Sequence, residues 1–230
     1  GDEVLVPEPS WVSYPQIVFM CGGNPVLVKG EKGAEMRCSG RKLREFVTDR
    51  TKAILLANPN NPTGVHLNKV ELESVAEVAR EHDLLVVSDE IYEHLIYSGR
   101  DFISIASLEG MQQRTVHVNG FSKAFAMTGW RLGYIAGPEW LISLSMKIHQ
   151  QTATCVSEFV QAGGVAALKY TMNAVASMVR KYEQRILKTV DRLNQSSFIH
   201  CEMPEGTFYL FPSITGSGLS SVEFSKQLLE

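Results

Sequence analysis

Six short apolar runs, separated by segments of helical periodicity, constrain this 230-residue chain more than any other feature. They are Val4–Val6, Val26–Val28, Ala53–Ala57, Leu84–Val87, Thr115–Val118 and Leu132–Ala136. Several are continuously apolar rather than alternating, as strands covered on both faces should be. Between the third and fourth, Lys69 to Asp83 carries Val70, Val75, Val78 and Ala79 on one helical stripe. Asn68, with Glu71 three residues later, has the form of a capping box at its start. Strand, helix and strand in repetition predict an α/β fold, a mostly parallel sheet flanked by helices.

From about Ser157 to Asn194 the pattern turns wholly helical, with a break at Tyr170-Thr171 and with Ser157 and Thr171 as N-caps. The charged stretch from Arg180 to Arg192 has the character of a solvated helix face. Short strands are expected again from Phe198 to Phe211, around a Pro204-Glu205-Gly206 turn, and the last residues read as another amphipathic helix. The pattern therefore predicts a large domain over 1–156, connecting helices over 157–194 and the start of a smaller α+β domain over 195–230. Gly1 is not an initiator Met, and the residues after it run straight into a strand. The chain is thus expected to begin inside a domain, which leaves targeting unread.

Composition excludes several partners. A net charge of −3 and a pI near 6.1 give no electrostatic footprint for nucleic acid or an anionic membrane. No apolar run reaches the roughly 20 residues of a membrane helix. Cys21, Cys38, Cys155 and Cys201 are scattered, without a C-x-x-C pair, and are expected to be buried free thiols in a reducing compartment. Asp89, Glu90, Glu93 and His94 form the one local cluster of metal-ligand types. Helical spacing would put Glu90 and His94 on one face, but no second His completes a zinc motif, and no metal is expected.

In an open α/β sheet, ligands sit beyond the carboxyl ends of the strands. The residues that follow the predicted strands are Trp11, then Asn58 to Gly64, then Asp89 with Tyr92, then Lys123. An indole, an amide, a carboxylate, a phenol and an amine thus converge on one rim. That set suits a planar heteroaromatic cofactor with a carbonyl. Each residue also has a plainer explanation. Trp11 and Tyr92 could be core aromatics, Asp89 a helix cap, Asn61 a turn residue, and Lys123 and Arg131 surface cations.

The stretch Gly120-Phe121-Ser122-Lys123-Ala124-Phe125-Ala126-Met127-Thr128-Gly129-Trp130-Arg131-Leu132-Gly133 resembles the lysine motif of the class I/II, fold-type I aminotransferases. Asn58 to Gly64 and Ser88-Asp89-Glu90-Ile91-Tyr92 are similar to two further landmarks of that family, in the same order. Ala106 to Met111, and the residues through Gly137-Pro138, resemble the plant and bacterial aspartate aminotransferases that also use prephenate.

The resemblance implies pyridoxal 5'-phosphate as cofactor, held by Lys123 as a Schiff base, with Lys123 also carrying the catalytic proton. It implies that Asp89 pairs with the ring nitrogen, Asn61 and Tyr92 with the ring oxygen, Trp11 with the ring face and Arg131 with the phosphate. Pro62 becomes a candidate cis-proline aiming Asn61. The implied reaction moves an amino group between aspartate or glutamate and a 2-oxo acid, prephenate included. The full-length form is expected to be a homodimer in the cytoplasm or the plastid stroma.

The chain also departs from the family pattern. The phosphate loop, the tyrosine that crosses the dimer and the carboxylate-binding arginine have no counterpart in these 230 residues. Gly120 stands where other members have a phosphate-binding serine. Two other functions stay open at this level: a carbon–sulfur lyase using the same residues, or a non-catalytic partial domain.

Overall fold

The computed structural model describes residues 1–30 and 36–230. Each of the six apolar runs forms a strand: β1 Glu3–Glu8, β2 Asn24–Lys29, β3 Thr51–Ala57, β4 Leu85–Asp89, β5 Thr115–Gly120 and β6 Gly133–Ala136. They make one sheet in the order β2-β1-β3-β4-β5-β6. The first five are parallel, and β6 runs antiparallel to β5 at the edge. The helices are α1 Ser13–Met20, α2 Gly40–Arg44, α3 Lys69–Glu81, α4 Glu139–Thr152, α5 Glu158–Tyr170, α6 Met172–Leu193 and α7 Ser221–Gln227.

Parallel neighbours need crossovers, and crossovers put helices on the sheet. The main core lies between the sheet and α3. Leu72, Val75, Ala76, Val78 and Ala79 of α3 pack there with Leu5, Ile54, Leu56 and Val86 from three strands, all essentially buried. Val70 does not join them. It occupies the first turn, faces away from the sheet and is 79% exposed; Leu72 takes its place in the stripe. The expected capping box is present: the Asn68 side chain accepts from Val70 N and Glu71 N, and Glu71 Oε2 accepts from Asn68 N.

The helical pair breaks where expected, α5 ending at Tyr170 and α6 starting at Met172. Neither predicted cap side chain acts as one. Thr171 donates its hydroxyl back to Ala167 O at 2.7 Å, which occupies it with the preceding helix instead. Val175, Ile186 and Val190 of α6 are buried, with Val179, Tyr182 and Leu193 on the same stripe, and the charged residues stay outside.

Residues 198–211 differ from expectation. They form isolated bridges, Ile96 with Gly206 and His200 with Ser213, rather than strands. Thr207 has φ +65°, which turns the chain out of the extended conformation directly after the Gly206 bridge. The cysteines are free as expected, but only Cys201 is buried; Cys21 and Cys155 are exposed. Among the described residues, no helix is long and apolar enough to cross a membrane.

Strand order fixes where a ligand can enter. The chain leaves β1 for β2 on one side, then crosses to β3 on the other, so the sheet has its switch point between β1 and β3. At such a point the two outgoing loops part and open a crevice.

Candidate active site

A cavity of about 520 Å³ lies at that crevice, beyond the carboxyl ends of β1, β3, β4 and β5. All six residues singled out from the sequence line it: Trp11, Asn61, Asp89, Tyr92, Lys123 and Arg131. They come from four separate stretches of chain, brought together by parallel strands that all end on one side.

Trp11 follows β1 and is 43% exposed, which excludes a core tryptophan. Its ring meets Tyr14 edge-on, centroids 5.5 Å apart at 90°, and its face is left to the cavity wall. Tyr14 sits one helical turn further on, in α1, and is 5% exposed. Its hydroxyl donates to Asp89 Oδ2 at 2.7 Å. Burial first, then the charge of Asp89, push the Tyr14 phenol far above its ordinary range, so it remains a permanent donor. The other oxygen of Asp89 accepts from Ile91 N at 3.2 Å. Asp89 therefore stabilises the turn that follows β4, but no helix starts there; residues 91–94 form turns.

Tyr92 is buried, and its hydroxyl lies 2.9 Å from that of Tyr209. Burial and then the Tyr209 contact raise its phenol well above the ordinary tyrosine range, so it too stays protonated. Asn61 lines the cavity from the loop after β3, and the Asn61-Pro62 peptide is cis, as the sequence suggested.

Lys123 stands on a loop clamped at both ends. Phe121 N donates to Leu132 O at 3.1 Å, and Met127 N to Phe121 O at 3.3 Å. Phe121, Ala124 and Met127 are buried and hold the loop down, while Lys123 borders the cavity. Two glycines of α5 make the seat possible. A Cβ on Gly163 would lie 2.4 Å from the Trp130 ring, and one on Gly164 2.5 Å from Leu132. Lys123 Nζ lies 5.7 Å from the centroid of the Phe208 ring.

Arg131 closes the loop with φ +53°, and Ala126 has φ +52°. Left-handed non-glycine residues are uncommon, and they concentrate where a structure holds side chains for function. Arg131 Nη1 donates to Thr128 O at 3.0 Å, which anchors the guanidinium beside the cavity. Gly120 has a steric reason to be glycine. A Cβ there would lie 3.0 Å from Leu132 O and 3.1 Å from Gly133 Cα, so a larger residue needs the neighbouring backbone to give by a few tenths of an ångström.

The acidic cluster is rearranged. Because residues 91–94 are turns, Glu90 and His94 do not share a helix face. Glu90 instead turns into the sheet, 1% exposed, with Ser88 and Ser104 hydroxyls on Oε1 and His117 Nε2 3.2 Å from Oε2. Burial raises its carboxyl, against the pull of Ser88 and His117. Among the described residues, the ligand-type trio is Glu90, Glu93 and His117.

Sequence reasoning missed Tyr14 and Tyr209. The spacing of Tyr14 from Trp11 at a helix start was a usable signal. Tyr209 had none, because its partner is 117 residues away.

An open α/β sheet with a polar, aromatic-walled cavity at its switch point has the architecture of a small-molecule enzyme. Residues 1–230 match the model of the family described as aminotransferase class I and II, and the chain belongs to that family. It is 46% identical to an aspartate aminotransferase of Pyrococcus abyssi, over all of this chain and 59% of that protein. It is 40% identical to the bifunctional aspartate aminotransferase and glutamate/aspartate-prephenate aminotransferase of Petunia hybrida, over 99% of this chain and 50% of that protein. Among solved structures, an aromatic aminotransferase from Pyrococcus horikoshii superposes with a TM-score of 0.96 at 45% identity, over all of this chain and 62% of that one. The chain thus spans about 59% of the length of the first of these relatives.

Proposed function

We propose that the protein is a pyridoxal 5'-phosphate-dependent aminotransferase that moves an amino group between aspartate or glutamate and a 2-oxo acid, prephenate among the acceptors. One observation carries the reading: an amine, a carboxylate, a guanidinium, an amide, a phenol and an exposed indole from four stretches of chain line one cavity. The donor set fits the cofactor group by group. A cationic ring nitrogen calls for a carboxylate, a ring oxyanion for donors, a phosphate for a guanidinium fork, and a flat ring for an aromatic plate.

When bound, the cofactor supplies an electron sink for the substrate α-carbon. This chain's own residues do the rest. Lys123 would hold the cofactor through its amine and would move the proton at the substrate α-carbon. Asp89 keeps the ring nitrogen protonated, and the Tyr14 hydroxyl fixes the orientation of its carboxylate. Tyr92 and Asn61 would donate to the ring oxygen, Arg131 would bind the phosphate, and Trp11 would stack on the ring. We assign residues 1–156 to the cofactor-binding part, 157–194 to connecting helices and 195–230 to the start of a smaller domain. A homodimer is the assembly we propose. Aspartate and glutamate are chosen because the relatives' names carry them.

The test is borohydride reduction of the cofactor-loaded protein, expressed from its complete reading frame, followed by peptide mapping. The adduct is expected on Lys123; an adduct on another lysine overturns the assignment.

A further inference from the structure

The mechanism above leaves one phenol of the cavity unused. Tyr209 borders the cavity beside Tyr92, hydroxyl to hydroxyl at 2.9 Å, with ring centroids 5.8 Å apart at 74°. Each phenol owns one proton. If Tyr92 gives its proton to the ring oxygen of the cofactor, the bond between the two tyrosines has only one possible direction. We propose that Tyr209 is a positioning residue that donates to the Tyr92 oxygen and so directs the Tyr92 proton at the cofactor, an inference that rests on the aminotransferase reading. Donating to a donor also polarises it, which strengthens the second bond.

The backbone that carries Tyr209 is built for placement. Thr207 is fully buried with φ +65°, an outlying conformation for a β-branched residue. It is held there on three sides: its N–H donates to Leu95 O at 2.8 Å, its carbonyl accepts from the Tyr97 hydroxyl, and its Oγ1 accepts from Tyr209 N at 3.1 Å. The turn just before it is tied to the sheet side of the molecule by Glu205. That carboxylate accepts from His66 N at 3.0 Å and pairs with Arg37 at 2.8 Å and Arg100 at 3.2 Å. The two residues after Thr207 then serve the cavity in turn. Phe208 faces Lys123 and packs edge-on against Tyr92, centroids 5.5 Å apart, and Tyr209 reaches the Tyr92 hydroxyl. Packing alone would ask only for a ring at 209. The hydroxyl is the part that needs an explanation, and Tyr92 is the group it meets.

The pH at which the bound cofactor changes its absorbance reads this arrangement directly. A donor to the ring oxygen stabilises that oxygen's negative charge and lets the nitrogen supplied by Lys123 lose its proton at lower pH. Weakening the donor therefore moves the midpoint up. Tyr209→Phe in the cofactor-loaded protein, expressed from its complete reading frame, is expected to raise the midpoint by about half to one pH unit, the scale of one hydrogen bond felt by an ionising group. In a Tyr92→Phe background the same change is expected to shift nothing further, because its effect passes through Tyr92. An unmoved midpoint in Tyr209→Phe, or an equal shift in both backgrounds, overturns the proposal. If the phenylalanine variant does not fold, Tyr209→Gln carries the test: a side chain that still donates keeps the midpoint, and a shift of a full unit overturns it. A wild-type protein without any cofactor band would fail differently, removing the reading of the site and this inference with it.

Discussion

The cavity has two walls of different origin. One is made by strand ends: Trp11 after β1, Asn61 after β3, Asp89 at the end of β4 and Lys123 after β5. The other is a segment without regular structure, residues 203–209, which supplies Tyr209 to the cavity and packs Phe208 against Tyr92. The first wall inherits its geometry from a sheet whose hydrogen-bonded register cannot slip without turning buried side chains to the other face. The second has no ladder to rely on. It is placed by single contacts: Glu205 and Gly206 N–H groups on Gly64 O, both at 2.9 Å, the Glu205 ion pairs, and the strained Thr207. In the function proposed above, the groups assigned the chemistry stand on the rigid wall, and the group assigned to adjust it stands on the pinned one.

The largest effect expected is on the first wall. Lys123→Ala removes both the amine and the proton carrier, and turnover should fall at least about 10⁴-fold, the upper range for one positioned acid–base group. The far-ultraviolet spectrum and melting temperature should stay close to wild type, because Lys123 packs little of the core. A variant that retained turnover would break the division of labour between the walls. Asp89→Asn should still bind cofactor but lose about 10²–10³ in kcat, as preorganised electrostatic partners do. Near-normal kcat would reduce Asp89 to its turn-stabilising bond with Ile91.

On the second wall, effects should be smaller and of another kind. Gly64 has φ +73°, and a Cβ there would lie 2.5 Å from the Pro204 Cβ, so it is where the pinned segment meets the β3 loop. Gly64→Ala should cost about 1–3 kcal/mol of stability, from backbone strain and the clash, and should displace residues 203–209. Limited proteolysis is the sharper readout, with new cleavage near 203–209 before the sheet is cut; uniform digestion would contradict a separately pinned wall. The smallest effect belongs to the scaffold. Asn68→Ala removes the cap of α3 and should lower stability by about 1 kcal/mol with kcat unchanged. A change in kcat would mean that the sheet transmits more to the site than its packing suggests.

The residues themselves mark how far a sequence reaches. Lys123, Asp89 and Trp11 were found because each follows a short apolar run, and repeated short runs alternating with helical segments point to buried parallel strands. Asn68 and Glu71 were found because a capping box is a contact three residues long. Val70 was misjudged because a stripe read from hydrophobicity does not say which neighbour faces the sheet at a helix's first turn. Glu90 was misjudged because a helix was assumed where the chain makes turns, and its real partner, His117, lies on the next strand.

By itself, then, the sequence determined the six strands of the sheet, the helix α3, the α5–α6 pair and the rim on which the singled-out residues gather, since period, capping and strand ends are local properties. Only the tertiary structure decided that Tyr14 holds Asp89, that Gly120 is tightly packed by the backbone of β6 and the residue before it, and that the irregular segment 203–209 brings Tyr209 to the cavity in place of forming a strand. Those contacts join residues far apart in the chain, such as Tyr14 and Asp89, 75 positions apart. Their energies depend on burial and close approach, quantities that come into being only when the sheet has formed and the loops have been laid across its edge.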